Sequence, residues 1–350
     1  MLLLRTTAVA LIAGAVVAAF APSLSQAQRQ GERPARAAGL QVVSMIEVGG
    51  SPSSIIATPE AIWVSLGMDG VARINPKTSA IVARIEPGGA VIGLAAGFGA
   101  IWAVDVFGDR LLRIDPATNQ VTQEIRVGGL PNGLTVGHGS VWVQNQLDST
   151  VQRVDPPTGR VTATIRLSRG DLWPGAIVTD RDGVWIVMAH GNGVGRIDPE
   201  TSRLDTRIPV LGARSLAVTR GSVWVGRANA ASLARIAKNR ILHVNVPGHR
   251  FDGYGPTLAG GKTLWLATRG SLVQIDPRPT DRRVGFALPK VHDASSIVVT
   301  SDVWVADQTA SCGSVRSARG DASERKGDTN GSHRSSGTGH VGSAPRFRRG

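Results

Sequence analysis

Apolar residues in this chain fall in short runs, rich in Val, Ile and Leu and clipped by glycine- and proline-bearing turns. Runs of this kind predict strands, because β-branched side chains fit a pleated surface and the segments are too short for helices. One stretch shows the pattern in full. Ile92–Ala96, Ala100–Val104, Leu111–Ile114 and Val121–Val127 read as four successive strands. The turn between the last two is Asp115-Pro116-Ala117-Thr118-Asn119. Proline presets φ there, and Asp and Thr side chains bond to nearby backbone amides.

This four-strand unit recurs. Trp63, Trp102, Trp142, Trp185, Trp224, Trp265 and Trp304 are spaced by 39, 40, 43, 39, 41 and 39 residues, with Trp173 outside the series. A double glycine lies 14 residues before the first three, at Gly49-Gly50, Gly88-Gly89 and Gly128-Gly129. About 11 residues after the tryptophan comes an Arg-Ile-Asp-Pro-like turn, as at Arg73–Pro76, Arg113–Pro116, Arg153–Pro156 and Arg196–Pro199. Gln274–Pro277 is a variant, and Arg235-Ile236-Ala237-Lys238 has lost the turn chemistry. A period near 40 with four strands per unit predicts an all-β fold, a β-propeller in which each blade buries its faces against its neighbours. Gln41–Gly50 matches fourth strands such as Val121–Gly129, yet no unit precedes it. It is expected to serve as the outer strand of the last blade and to close a seven-bladed ring.

The ends differ from the repeat. Residues 1–27 read as a secretory signal: Arg5 is the positive start, Ala8–Phe20 the apolar stretch and Ser25-Gln26-Ala27 the cleavage site. Residues 28–40 are a linker, 41–310 the propeller, and 311–350 a Gly-, Ser- and Arg-rich tail without a core-forming pattern. The repeat stops inside the seventh unit, near Arg316. A shifted reading frame is one hypothesis for this. Resequencing that finds no Arg-Ile-Asp-Pro stretch in either alternative frame would sink it. No later segment is long and apolar enough to span a membrane.

Composition narrows the function classes. One cysteine, Cys312, excludes a disulfide scaffold, and as part of the tail it is expected to be exposed and reactive. The 43 glycines and 19 prolines disfavour a helical protein. The net charge of +13 is concentrated at the ends: the tail holds 8 Lys/Arg against 3 Asp/Glu and residues 1–38 hold 4 against 1, which leaves +5 on residues 39–310. Specific nucleic-acid binding is therefore not expected.

In a propeller the loops entering the first strand and leaving the second crowd onto one face around the channel, where sites usually lie. Three residues after each tryptophan stand Leu66, Asp105, Asn145, Met188, Arg227, Thr268 and Asp307; the entering loops add Asn132, Asp171, Arg214 and His292. The scaffold residues repeat while these differ from blade to blade, as a binding face requires. Asp105, Asn132, Asn145, Asp171, Arg214, Arg227 and Thr268 are the candidate ligand-binding residues. His138, between Gly137 and Gly139, reads as a turn residue, and His190 lacks a partner at metal-ligand spacing.

The segment AIWAVDVFGDRLLRIDPATNQVTQEIRVGGLPNGLTVGHGSVWV, residues 100–143, resembles YVTN-type β-propeller repeats and the streptogramin B lyase (virginiamycin B lyase) family. The resemblance covers roughly residues 41–310 and rests on structural residues. It implies elimination chemistry: a base removes the proton alpha to a carbonyl while a divalent metal such as Mg²⁺ polarises that carbonyl. His292 and Asp307 stand where the family places a catalytic His and a Glu, which makes Asp307 the implied metal ligand. Two departures are plain. Asp is one methylene shorter than Glu, and Gly253 occupies the place of a second His, with His249 nearest. The expected function is an exported, monomeric binding scaffold without cofactor, taking a small molecule, peptide or envelope protein in the periplasm or medium. A Mg²⁺-dependent lyase is the alternative.

Overall fold

In the computed structural model, residues 40–317 are described, apart from 189–192, 238–239, 247–248, 250, 252–255, 269–270, 277–282, 288–293 and 309–310. They form an all-β propeller of four-stranded antiparallel blades. Among the described residues there are seven such sheets, numbered here in chain order. The second is Val91–Gly97, Ala100–Asp105, Arg110–Asp115 and Gln120–Arg126, in that spatial order. The seventh combines Ala294–Val299, Val303–Asp307 and Ser311–Ser317 with the N-terminal strand Leu40–Glu47 as its outermost member. No helix among the described residues is long and apolar enough to cross a membrane.

Burial explains the residue pattern of each strand. Every residue of the second strand Ala100–Asp105 is buried, because neighbouring sheets cover both of its faces. The fourth strand Gln120–Arg126 lies at the rim and alternates exposed with part-buried positions. Each tryptophan is the largest contribution to an inter-sheet core. Trp63 packs with Val91, Leu94, Ile101 and Leu112 of the second sheet. Trp304 and Cys312 of the seventh pack with Ile55, Ile62 and Val64 of the first. Inner strands are also tied sheet to sheet: Ser53 Oγ donates to Ile92 O (3.1 Å), Thr257 Oγ1 to Ala294 O (3.1 Å) and Ser295 Oγ to Pro52 O (2.8 Å).

The turns follow their chemistry. Asp115 Oδ1 accepts from Ala117 N (2.8 Å), and Asn75 and Asp198 repeat that bond in their own sheets. The 1–2 hairpins carry positive φ at both central residues, Phe98-Gly99, His138-Gly139 and Arg220-Gly221, the signature of a type I′ turn. His138 is thus a turn residue, as its flanking glycines indicate.

Two expectations about the C-terminal end are corrected. The third strand of the seventh sheet, Ser311–Ser317, continues past the boundary set at 310 by pairing with Leu40–Glu47 on one side and Val303–Asp307 on the other. Cys312 on that strand is fully buried, not exposed. Desolvation pushes its thiol up to about 12, so it is not a reactive cysteine.

Candidate functional site

Antiparallel order puts the 2–3 connections and the connections entering each first strand at the same end of the sheets. Backbone bonds lace the two sets together: Val106 N donates to Ala90 O (3.0 Å), Gln146 N to Leu130 O (3.0 Å) and Ala228 N to Gly212 O (2.7 Å). This is the face on which the candidate ligand-binding residues were expected.

The structure divides them. Asp105 is completely buried, with both oxygens committed. Its Oδ1 accepts from Ala90 N (3.0 Å) and Gly108 N (3.1 Å), and Oδ2 accepts from Arg110 Nε (3.1 Å) and Nη2 (2.6 Å). The bonds from Arg110 to Asp105, with one from Arg110 Nη1 to Glu124 (2.6 Å), raise the arginine's pKa. Asp105 therefore holds a hairpin rather than a ligand. A Cβ on Gly89 would stand 2.1 Å from the same carboxylate, which is why glycine is needed at that place.

Asn145 and Asn132 are also buried, at the third sheet. Asn145 Nδ2 donates to Thr150 Oγ1 (3.1 Å) and Gln152 Oε1 (3.2 Å), and Asn132 Nδ2 donates to Gln146 Oε1 (2.6 Å). Their two Oδ1 atoms are buried and accept no bond. Asp171 is buried, with Arg207 Nη1 at 3.5 Å.

Three candidates are half-exposed instead. Arg214, at the start of the inner strand Ala213–Thr219, donates from Nη1 to Ala213 O (2.8 Å). Arg227 lies opposite Ala213 in the register; it donates from Nε to Leu211 O (2.9 Å) and from Nη1 to Ser232 Oγ (2.9 Å), with His243 Nδ1 at 3.4 Å. Thr268 ends the second strand of the sixth sheet, opposite Ser271.

The residues implied for elimination chemistry are not brought together among the described residues. Asp307 is buried at the end of Val303–Asp307, whereas His292, His190 and Gly253 lie outside the described residues. His249 is half-buried, and its backbone N bonds to Val246 O (3.2 Å). Among the described residues no three His, Cys, Asp or Glu side chains group as metal ligands.

One structural pairing was missed at the sequence level. The arginine of each Arg-Ile-Asp-Pro turn sits directly across from the tryptophan and lies over its ring, from 5.2 Å for Arg73 over Trp63 to 5.9 Å for Arg196 over Trp185. Arg73 Nη1 continues to Pro116 O (2.8 Å) and Asn119 Oδ1 (2.9 Å) of the next sheet, and Arg153 Nη1 to Pro199 O (2.8 Å). The repeated Trp-to-Arg spacing, ten residues in the first sheet and eleven in the next four, was the available signal. On the opposite face, a cleft of 500 Å³ is lined by His138, Arg153, Arg181, Asp182, Asp198 and Glu200. It is open and mixed in charge.

No protein-family model and no curated protein matches the chain. Solved structures do. A streptogramin B lyase is 16% identical over 78% of this chain and 97% of its own, with a TM-score of 0.67. A catalytically inactive virginiamycin B lyase from Staphylococcus aureus, with quinupristin, is 17% identical over 79% and 98%, at 0.68. Kuenenia stuttgartiensis hydrazine synthase is 14% identical over 82% and 99%, at 0.62. At these identities the likeness concerns the fold, and one fold hosts many activities. The chain is an all-β propeller similar to that of the streptogramin B lyases.

Proposed function

We propose that this chain is an exported, seven-bladed propeller, closed by its N-terminal strand, that binds a partner through the loop-bearing face of the fifth and sixth sheets and performs no chemistry. Closure is supported by the pairing of Leu40–Glu47 with Ser311–Ser317 and by the core shared by the seventh and first sheets. Export is supported by the N-terminal charge, apolar stretch and small-residue site. N-terminal sequencing of protein recovered outside the cytoplasm tests it; a chain still starting at Met1 refutes it.

One observation carries the binding assignment. At the position three after the tryptophan, Leu66, Asp105, Asn145, Met188 and Asp307 are buried, whereas Arg227 and Thr268 are half-exposed. Arg227 stands beside Arg214, so this part of the face offers two guanidiniums, the group suited to carboxylates and phosphates. The test compares what the native chain and an Arg214→Ala/Arg227→Ala variant retain from an envelope extract. A ligand or protein held by the first and lost by the second supports the assignment. Identical retention defeats it.

A second reading is favoured by the likeness to streptogramin B lyases, together with the buried carboxylate of Asp307. Incubation with a streptogramin B, with and without Mg²⁺, decides between the two. A Mg²⁺-dependent shift on chromatography without change of mass, abolished by His292→Ala, establishes the lyase. No shift in folded protein leaves the binding scaffold.

A further inference from the structure

Exposed large apolar side chains are ordinary when scattered and informative when they recur at one place. Three recur here. Five residues after the first three tryptophans stand Met68, Phe107 and Leu147, at the tips of the 2–3 connections of three consecutive sheets, exposed by 69%, 56% and 65%. Folding does not need them there, since a polar residue would meet water at lower cost.

The loops that present them are held firmly. Gly67 and Val91 exchange two backbone bonds (3.0 and 2.9 Å), which ties the Met68 loop to the second sheet. Leu130 N donates to Asp109 Oδ1 (3.1 Å), Leu130 O accepts from Gln146 N (3.0 Å), and Leu147 N donates to Gly129 O (3.1 Å). Between the tips lie the double glycines Gly88-Gly89 and Gly128-Gly129, which have no side chains to stand above the apolar groups. A fixed, low surface loses little freedom on binding.

The connections themselves are acidic. The connections 47–53, 65–70, 86–90, 105–109, 127–131 and 145–149 contain Glu47, Asp69, Glu86, Asp105, Asp109 and Asp148 and no Lys or Arg, while Arg84, Arg110 and Arg126 stand on the adjoining strand ends, Arg110 in ion pairs with Asp105 and Glu124. All of these except Asp105 are at least partly accessible. Against the +5 carried by residues 39–310, acidic connections bearing apolar tips are a local departure. By contrast, the connection entering the fourth sheet carries Arg169, and the fifth sheet places Arg214 and Arg227 at the same end.

We propose that the Met68–Phe107–Leu147 surface docks a cationic peptide segment carrying large apolar side chains, which fill the spaces between the tips while its Lys or Arg groups meet the carboxylates. The inference rests on the reading that this end of the propeller is its binding face, and it adds the partner's chemistry for the first three sheets.

The probe is a labelled 12-residue peptide alternating leucine and lysine, with a leucine–glutamate counterpart, followed by fluorescence anisotropy on the full-length chain. The lysine peptide is expected to bind and the glutamate peptide to bind at least tenfold more weakly. Met68→Ser/Phe107→Ser/Leu147→Ser and Asp69→Asn/Asp148→Asn should each weaken the lysine peptide about tenfold, with unchanged tryptophan emission and melting. Equal binding of both peptides, no binding of either, or an unchanged affinity in the serine variant overturns the inference. Loss only in Arg214→Ala/Arg227→Ala would also overturn it, while leaving the binding face itself in place. A dimer in sedimentation that the serine variant abolishes would put a second copy on this surface and overturn it likewise.

Discussion

The first five sheets and the last two solve one packing problem in different ways. In the first five, each tryptophan faces an arginine across the hairpin, and the guanidinium lies over the indole. In the sixth and seventh, the cross-strand residues are Gln274 and Ser314. Trp265 and Trp304 are nonetheless buried, at 5% and 1% exposure. Burial of the indole is thus the constant of the unit, and the arginine adds to it. That ranking follows from magnitudes: truncating a buried tryptophan costs several kcal/mol, whereas a partly exposed cation–π contact is worth about 0.5–1 kcal/mol. The fourth sheet shows the addition being redirected. The fifth sheet lacks the Asp-Pro turn, and Arg196 pairs within its own sheet to Asp205 (2.8 Å), which lowers the carboxyl's pKa.

The largest expected effect tests the constant. Trp102→Ala and Trp265→Ala should each lower stability by about 3–5 kcal/mol, read as matching shifts of the denaturant midpoint. A Trp265→Ala loss under half that of Trp102→Ala would break the equivalence. Next comes the hairpin carboxylate. Asp105→Ala strands a quarter-exposed Arg110 and two amides, at a cost of about 3 kcal/mol by the same measurement.

Smaller effects sharpen the contrast. Arg73→Met removes the stacking and two bonds to the next sheet's turn, for a loss of about 1–2 kcal/mol. The smallest effect concerns Cys312. Its folded pKa is raised, so its stabilising contribution is complete below the thiol's ordinary 9.0 and is lost as pH rises toward about 12. Native protein at pH 8 should resist a thiol reagent until denaturant is added, and Cys312→Ala should flatten the alkaline fall in melting temperature. Prompt labelling of the folded chain would contradict the burial.

Much of the fold was legible. Tryptophan spacing reveals the unit because the second strand is buried on both faces and admits one large residue in a fixed place. The Asp-Pro and double-glycine turns are legible because each acts through its own backbone. The candidate site was less so. Asp105 and Arg227 occupy the same place in the repeat, yet one closes a buried hairpin and the other opens to solvent. Repeat position names the place, while the partners that decide exposure, Arg110 for Asp105 and Ser232 for Arg227, come from the next strand. Cys312 failed for a related reason. It sits in a Ser- and Gly-rich stretch that reads as tail, and its burial is created by Leu40–Glu47 from the other end of the chain.

By itself, then, the sequence determined what is local and periodic: strands, turns, the size of the unit and the residue that anchors it. Those properties depend on backbone preferences and on burial repeated at a fixed spacing. The tertiary structure alone decided which loop residues face water, where the arginines stack and how Ser311–Ser317 joins a sheet. Each of these depends on side chains brought together from different strands, and in the last case from opposite ends of the chain.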